Sequence, residues 1–295
     1  MIEFDFGCIP NLSHIFECGQ CFRWNEQDDG SYIGVAGNEV VQAHVDGSKI
    51  ILHGTENFNF WSNYFDISFD YENVKSRLAK DKVLKKCIGY GFGIRILQQD
   101  LFETIISFII SANNNIPRIK GIIERLCKLC GEQIGESEHY TFPTAEQIVN
   151  AGLDKLSTIG AGYRDKYIYE TAKTCLHLVQ FGIFPPLCTH DTQQSVQTSN
   201  RTQIQTYFED LSTPDARREL LKFHGVGPKV ADCILLFGLR RFDAFPTDVW
   251  VKRLMNEAYN VSPDEIASFA EQNFGELQGL AQQYLFYYFR ENTKR

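Results

Sequence analysis

A chain of 295 residues with 43% hydrophobic composition can bury a substantial core, in one large domain or two to three small ones. No apolar run approaches the roughly 18 residues that span a bilayer, and Glu3, Asp5 and Glu17 stand where a secretory leader would be basic, so a cytoplasmic protein is expected. Nine dispersed cysteines argue for reduced thiols over a disulfide scaffold, and a net charge of −8 argues against a general polyanion binder.

Residues 31–36, 39–45 and 49–53 are β-rich runs separated by Gly37-Asn38 and Asp46-Gly47, pairs that close tight hairpins, so an antiparallel meander is expected. From Leu101 the period changes. Leu101–Ala112 is a long apolar run, and Ile116, Ile119, Ile122, Ile123, Leu126 and Cys130 recur at helical spacing behind the first-turn residue Pro117. Asn113, Asn114 and Asn115 lie between the two runs, and Asn115 fits an N-cap. Cys18/Cys21 and Cys127/Cys130 have Cys-x-x-Cys spacing, but the second pair lies on the apolar periodic run, so no metal is expected. Residues 185–202 are polar and without period, which suits an exposed, mobile loop.

Residues 213–238 are the most informative. Thr213-Pro214 opens a helix, Gly225-Val226-Gly227 allows a tight reversal, and Pro228 begins the next helix at once. The amides of Gly225, Val226 and Gly227 suit a DNA phosphate without side-chain charge. Lys229 takes the second position of the new helix, where dipole and burial are expected to lower an amine's pKa. Asp248 precedes the apolar Val249, Val251 and Leu254 and fits an N-cap. One long helix is expected from about Asp264 to Glu291. The fold class is therefore α+β: an N-terminal antiparallel β-sheet domain over 1–99, then an all-helical body over 100–295.

The run Gly225-Val226-Gly227-Pro228-Lys229-Val230-Ala231-Asp232-Cys233, with Asp248 following 19 residues after Lys229, resembles the signature of the helix-hairpin-helix Gly/Pro-Asp DNA glycosylase superfamily. The resemblance implies that Lys229 attacks sugar C1′ and that Asp248 stabilises the positive charge developing there. No cysteine follows Cys233, against the iron–sulfur branch, and Lys229 argues against the monofunctional alkyl-base branch.

Further stretches resemble the 8-oxoguanine DNA glycosylase/lyase family, in its bacterial type. Cys18–Trp24 implies that the carbonyl of Gly19 accepts the proton that oxidation adds at N7. Ser111–Ile119 implies that Asn113 fills the gap left by the extruded base and that Arg118 contacts the orphaned cytosine. Ile159–Arg164 implies Tyr163 as a wedge and Arg164 as a second cytosine contact. Gly279–Phe286 implies that Gln282 reads the Watson–Crick edge while Phe286 stacks on the flipped base opposite Cys233. The implied enzyme is a bifunctional DNA N-glycosylase and abasic-site lyase that works by base flipping and a Schiff base. It would act on double-stranded DNA containing oxidised guanine, as a monomer without cofactor. Trp250 and Phe237 depart from the family's histidine and methionine.

Overall fold

The computed structural model describes residues 1–180 and 199–292. The expected polar loop at 185–202 lies outside the described residues as far as 198, and from Ser199 the chain is helical. The first part holds β1 (Ile2–Asp5), α1 (Leu12–Phe16), β2 (Trp24–Glu26), β3 (Tyr32–Ala36), β4 (Glu39–Asp46), β5 (Lys49–His53), α2 (Phe58–Tyr64), α3 (Tyr71–Leu78) and α4 (Lys82–Tyr90). The remainder holds α5 (Leu101–Ser111), α6 (Ile116–Cys130), α7 (Ala145–Leu156), α8 (Arg164–Gln180), α9 (Ser199–Glu209), α10 (Thr213–Leu220), α11 (Pro228–Gly238), α12 (Val249–Tyr259), α13 (Ile266–Phe274) and α14 (Gln278–Asn292).

The strands form one antiparallel sheet in the order β1-β5-β4-β3-β2. Gly37 and Asn38 both take positive φ, +58° and +64°, the twist that joins β3 to β4 without splaying them. The second turn falls one residue later than expected, at Gly47-Ser48, because Asp46 still pairs with Lys49. The outer strands β1 and β2 are too short to show a period in sequence. The inner face of the sheet buries Trp24, Tyr32, Val41, Ile50 and Leu52 against Phe16, Trp61 and Phe65, with Phe16 stacked on Trp24 at 3.9 Å between ring centroids.

A second core runs through the helices, and α3 and α4 join it through Tyr71, Val74, Leu78 and Leu84. Asp66, 2% exposed, bolts the two cores together: it accepts hydrogen bonds from Arg240 at 2.6 Å, Tyr71 at 2.9 Å and Gln98 at 3.0 Å. The single helix expected near the C-terminus is two, α13 and α14, because Gly275 breaks the chain with φ +53°. Among the described residues no helix is long and apolar enough to cross a membrane.

Candidate active site

The hairpin joins α10 to α11. Ser212, not Thr213, caps α10, its side chain accepting from the Asp215 amide; Thr213 is the first helical residue. Gly225 has φ +82°, and a methyl group there would lie 2.7 Å from the Tyr167 ring of α8, so the turn accepts only glycine. The Val226 amide donates to the Phe223 carbonyl at 3.1 Å and its side chain is buried. Of the three amides expected to meet phosphate, Val226 is therefore already used by the turn, which leaves Gly225 and Gly227. Behind the hairpin Arg217 grips Asp232 through Nε at 2.7 Å and Nη2 at 2.5 Å. Burial pushes the Asp232 carboxyl up to about 6, against the pull of Arg217.

Lys229 is half-buried at the second position of α11. Cys233 lies one turn on and is 3% exposed; the Lys229 ammonium also sits 5.7 Å from the centroid of Phe108, which stacks on Phe237 at 5.4 Å. Asp248 caps α12 by accepting the Val251 amide at 2.8 Å. The lowered pKa expected for Lys229 is not what these surroundings produce. Its pKa is raised above the ordinary lysine value, first by Cys233 and further by Asp248, with burial opposing them. Burial also raises the Cys233 thiol, against the pull of Lys229. These surroundings favour the ammonium form of Lys229.

A second group of residues meets where the chain's two ends converge. Gly19 has φ +88°, and a methyl built on it would lie 3.5 Å from Phe286 Cε1 and 3.5 Å from Arg290 Nη1. The carbonyls before it are tied to α14: Gln283 donates to Cys18 O at 2.8 Å, and Arg290 donates to Glu17 O at 2.5 Å. Gln282 is buried, and its Oε1 has no hydrogen-bond partner among the described residues. Gly19 thus faces Phe286 with room for no more than a methyl group between them, and Gln282 lies one turn before Phe286 on the same helix face.

The remaining predicted residues gather on a third surface. Asn113 follows α5 with φ +51° and is exposed. Asn115 caps α6 by accepting the Arg118 amide at 3.1 Å, and Arg118 is exposed. Tyr163 is 57% exposed, with its ring 5.6 Å from that of Tyr167. Tyr167 therefore touches Tyr163 on one side and underlies Gly225 on the other. Arg164 differs from expectation. It is buried and donates to Ala112 O at 2.9 Å and 2.5 Å, to Asn113 O at 3.1 Å and to Ala161 O at 3.1 Å. In this state it holds the Asn113 turn from beneath instead of presenting its donors to a base.

Residues 9–105 match the family model for the 8-oxoguanine DNA glycosylase N-terminal domain, and residues 106–278 match that for HhH-GPD superfamily base excision DNA repair proteins. The chain belongs to the 8-oxoguanine DNA glycosylase family. The N-glycosylase/DNA lyase of Saccharomyces cerevisiae is 32% identical, over 86% of this chain and 69% of that protein. The 8-oxoguanine glycosylase/lyase of Clostridium acetobutylicum, solved with double-stranded DNA containing cytosine opposite 8-oxoguanine, superposes with a TM-score of 0.82. It is 39% identical over 96% of this chain and 93% of that one. The structure called MBOgg1, in complex with a low-affinity DNA ligand, gives a TM-score of 0.85 at 41% identity, over 99% of this chain and 96% of that one.

This family member is a base-excision repair glycosylase/lyase. Sequence reasoning passed over three of its residues, Tyr167, Gln283 and Arg290. The last carried a usable signal: Gln282, Phe286 and Arg290 are spaced four apart in one helix. At the family's histidine position, the glycosylase exposes Trp250 (48%) beside Val249 (65%) at the start of α12, with Arg253 over the Trp250 ring at 5.9 Å.

Proposed function

We propose that this glycosylase excises 8-oxoguanine opposite cytosine from duplex DNA, flipping the base out and attacking C1′ with Lys229, and then nicks the strand by β-elimination. The observation that carries the proposal is Lys229 half-buried at the start of the hairpin's second helix, with Cys233 and Asp248 as its charge partners. Lys229 gives up a proton, its amine bonds to C1′, and the C1′–N9 electron pair leaves with the base, which takes up a proton. The Asp248 carboxylate stabilises the positive charge that develops on the sugar. Opening of the sugar ring leaves an iminium on Lys229 that makes the 2′ protons acidic, and loss of one expels the 3′ phosphate.

Selection would rest on Gly19, whose carbonyl accepts the N7 proton of 8-oxoguanine but opposes the N7 lone pair of guanine. Gln282 offers an acceptor to the N1 and N2 donors, and Phe286 and Cys233 enclose the ring. Asn113 and Tyr163 would fill the gap in the stack, Arg118 would meet the orphaned cytosine, and Arg164 would hold their loop. The amides of Gly225 and Gly227 would take a phosphate. In this reading residues 1–99 supply Gly19 and residues 100–295 the rest. The enzyme acts as a monomer in the cytoplasm, on chromosomal DNA, a setting that suits the eight free cysteines among the described residues.

Borohydride should trap a covalent adduct between the protein and an 8-oxoguanine:cytosine duplex, and Lys229→Gln should abolish it while leaving lesion binding largely intact. Trapping of the Lys229→Gln protein at wild-type yield would make another amine the nucleophile and sink the proposal.

A further inference from the structure

Two polar atoms of α14 are buried without hydrogen-bond partners among the described residues: Gln282 Oε1 and Arg290 Nη1. One is an acceptor and the other a donor. They belong to side chains at i and i+8 with Phe286 midway, so all three share one stripe of the helix. Arg290 is otherwise engaged, through Nη2 with Glu17 O at 2.5 Å and through Nε with Glu291 at 2.8 Å. Its guanidinium lies 5.5 Å from the Phe286 centroid. Nη1 lies 3.5 Å from where a methyl group on Gly19 would stand, as does the edge of the Phe286 ring.

A buried donor and a buried acceptor left unpaired are both unfavourable, and a charged donor more so. The stripe is therefore complementary to a flat ligand with hydrogen-bond donors at one edge and an acceptor at the other. An oxidised purine has this pattern. Its Watson–Crick edge carries N1–H and N2–H donors, and N7–H on the opposite side is flanked by carbonyl oxygens at C6 and C8.

We propose that Arg290 is a base-reading residue, donating from Nη1 to a carbonyl oxygen that flanks N7 while Gly19 accepts the N7 proton. The inference rests on the Gly19–Phe286 pocket proposed above and adds a charged donor to it. Phe286 turns from its place against Gly19 to the face of the base, and the vacated space brings the base oxygen to Nη1. Because Nη2 is anchored on Glu17 O, two residues before Gly19, the donor and the Gly19 carbonyl move as one unit.

Two measurements test this. In single-turnover assays, Arg290→Met should slow 8-oxoguanine excision about tenfold more than it slows cleavage of a preformed abasic site, as expected for loss of one charged hydrogen bond to the base. Arg290→Lys should recover part of the difference. Equal losses in both reactions would overturn the proposal. In a crystal structure of the Lys229→Gln protein with an 8-oxoguanine:cytosine duplex, Nη1 should lie within hydrogen-bond distance of a base oxygen. A base stacked on Phe286 with Nη1 turned away would overturn the Arg290 role and leave the pocket standing. A base bound away from Gly19 and Phe286 would overturn the pocket as well.

Discussion

Gly19 shows how closely one position can be constrained. Its φ of +88° costs any residue with a side chain about 1–2 kcal/mol, and an added methyl would point between Phe286 and Arg290. Gly19→Ala should therefore lower 8-oxoguanine excision more than abasic-site cleavage, since the methyl intrudes on the base and not on the sugar; equal losses would remove Gly19 from base selection. Lys229 gives a second prediction, in pH dependence. Cys233 is the largest cause of its raised pKa and burial the largest opposing one, so Cys233→Ala should bring the lysine pKa down. The alkaline rise of Schiff-base trapping on a preformed abasic site, which follows the free amine, should then shift to lower pH. A profile unmoved by Cys233→Ala would mean that the thiol does not set the lysine's protonation. The motif singled out Lys229 but not its raised pKa: Cys233 stands one turn along the same helix, whereas the burial of the amine and the approach of Asp248 from α12 are set by packing.

The hairpin elements were legible because their signals are local. Pro228, the glycine turn and the caps Asn115 and Asp248 each act within a few residues. The unbroken helix expected from 264 to 291 failed for a related reason: apolar spacing continues across Gly275, and only the positive φ there shows the break. What α10 does for α11 was not legible, because the Arg217–Asp232 pair joins two helices across the turn. Asp232 has its pKa raised to about 6 from 3.8, so the folded state binds more protons than the unfolded state between those values. Stability should accordingly fall as pH rises from about 4 to 6, by at most about 3 kcal/mol, and stay at the lower level above that. Urea unfolding across this range should show Asp232→Asn losing that slope relative to wild type. An unchanged slope would assign the dependence to other carboxyls.

At the scale of the whole molecule, a protein of net charge −8 must hold a polyanion. Cations on the hairpin are already paired within the protein, Arg217 with Asp232, Arg218 with Asp215 and Lys222 with Glu219. Phosphate contacts should then fall largely to backbone amides, which release few counterions. The slope of log K against log salt for an undamaged duplex should be shallower than about −4, given about 0.9 per phosphate neutralised. Fluorescence anisotropy between about 50 and 200 mM salt would measure it, and a slope of about −6 or steeper would mean that side-chain cations dominate.

The sequence by itself determined the helix-hairpin-helix, its lysine and aspartate, the meander and the α+β order, because turn chemistry, capping and periodicity act over short separations. Tertiary structure alone decided that Gln283 ties down Cys18 across 265 residues and Arg290 ties down Glu17 across 273, and that Arg164 lies beneath the Asn113 turn. Hydrogen bonds, burial and charge proximity of that kind depend on distances that packing sets, and no local pattern in the chain encodes them.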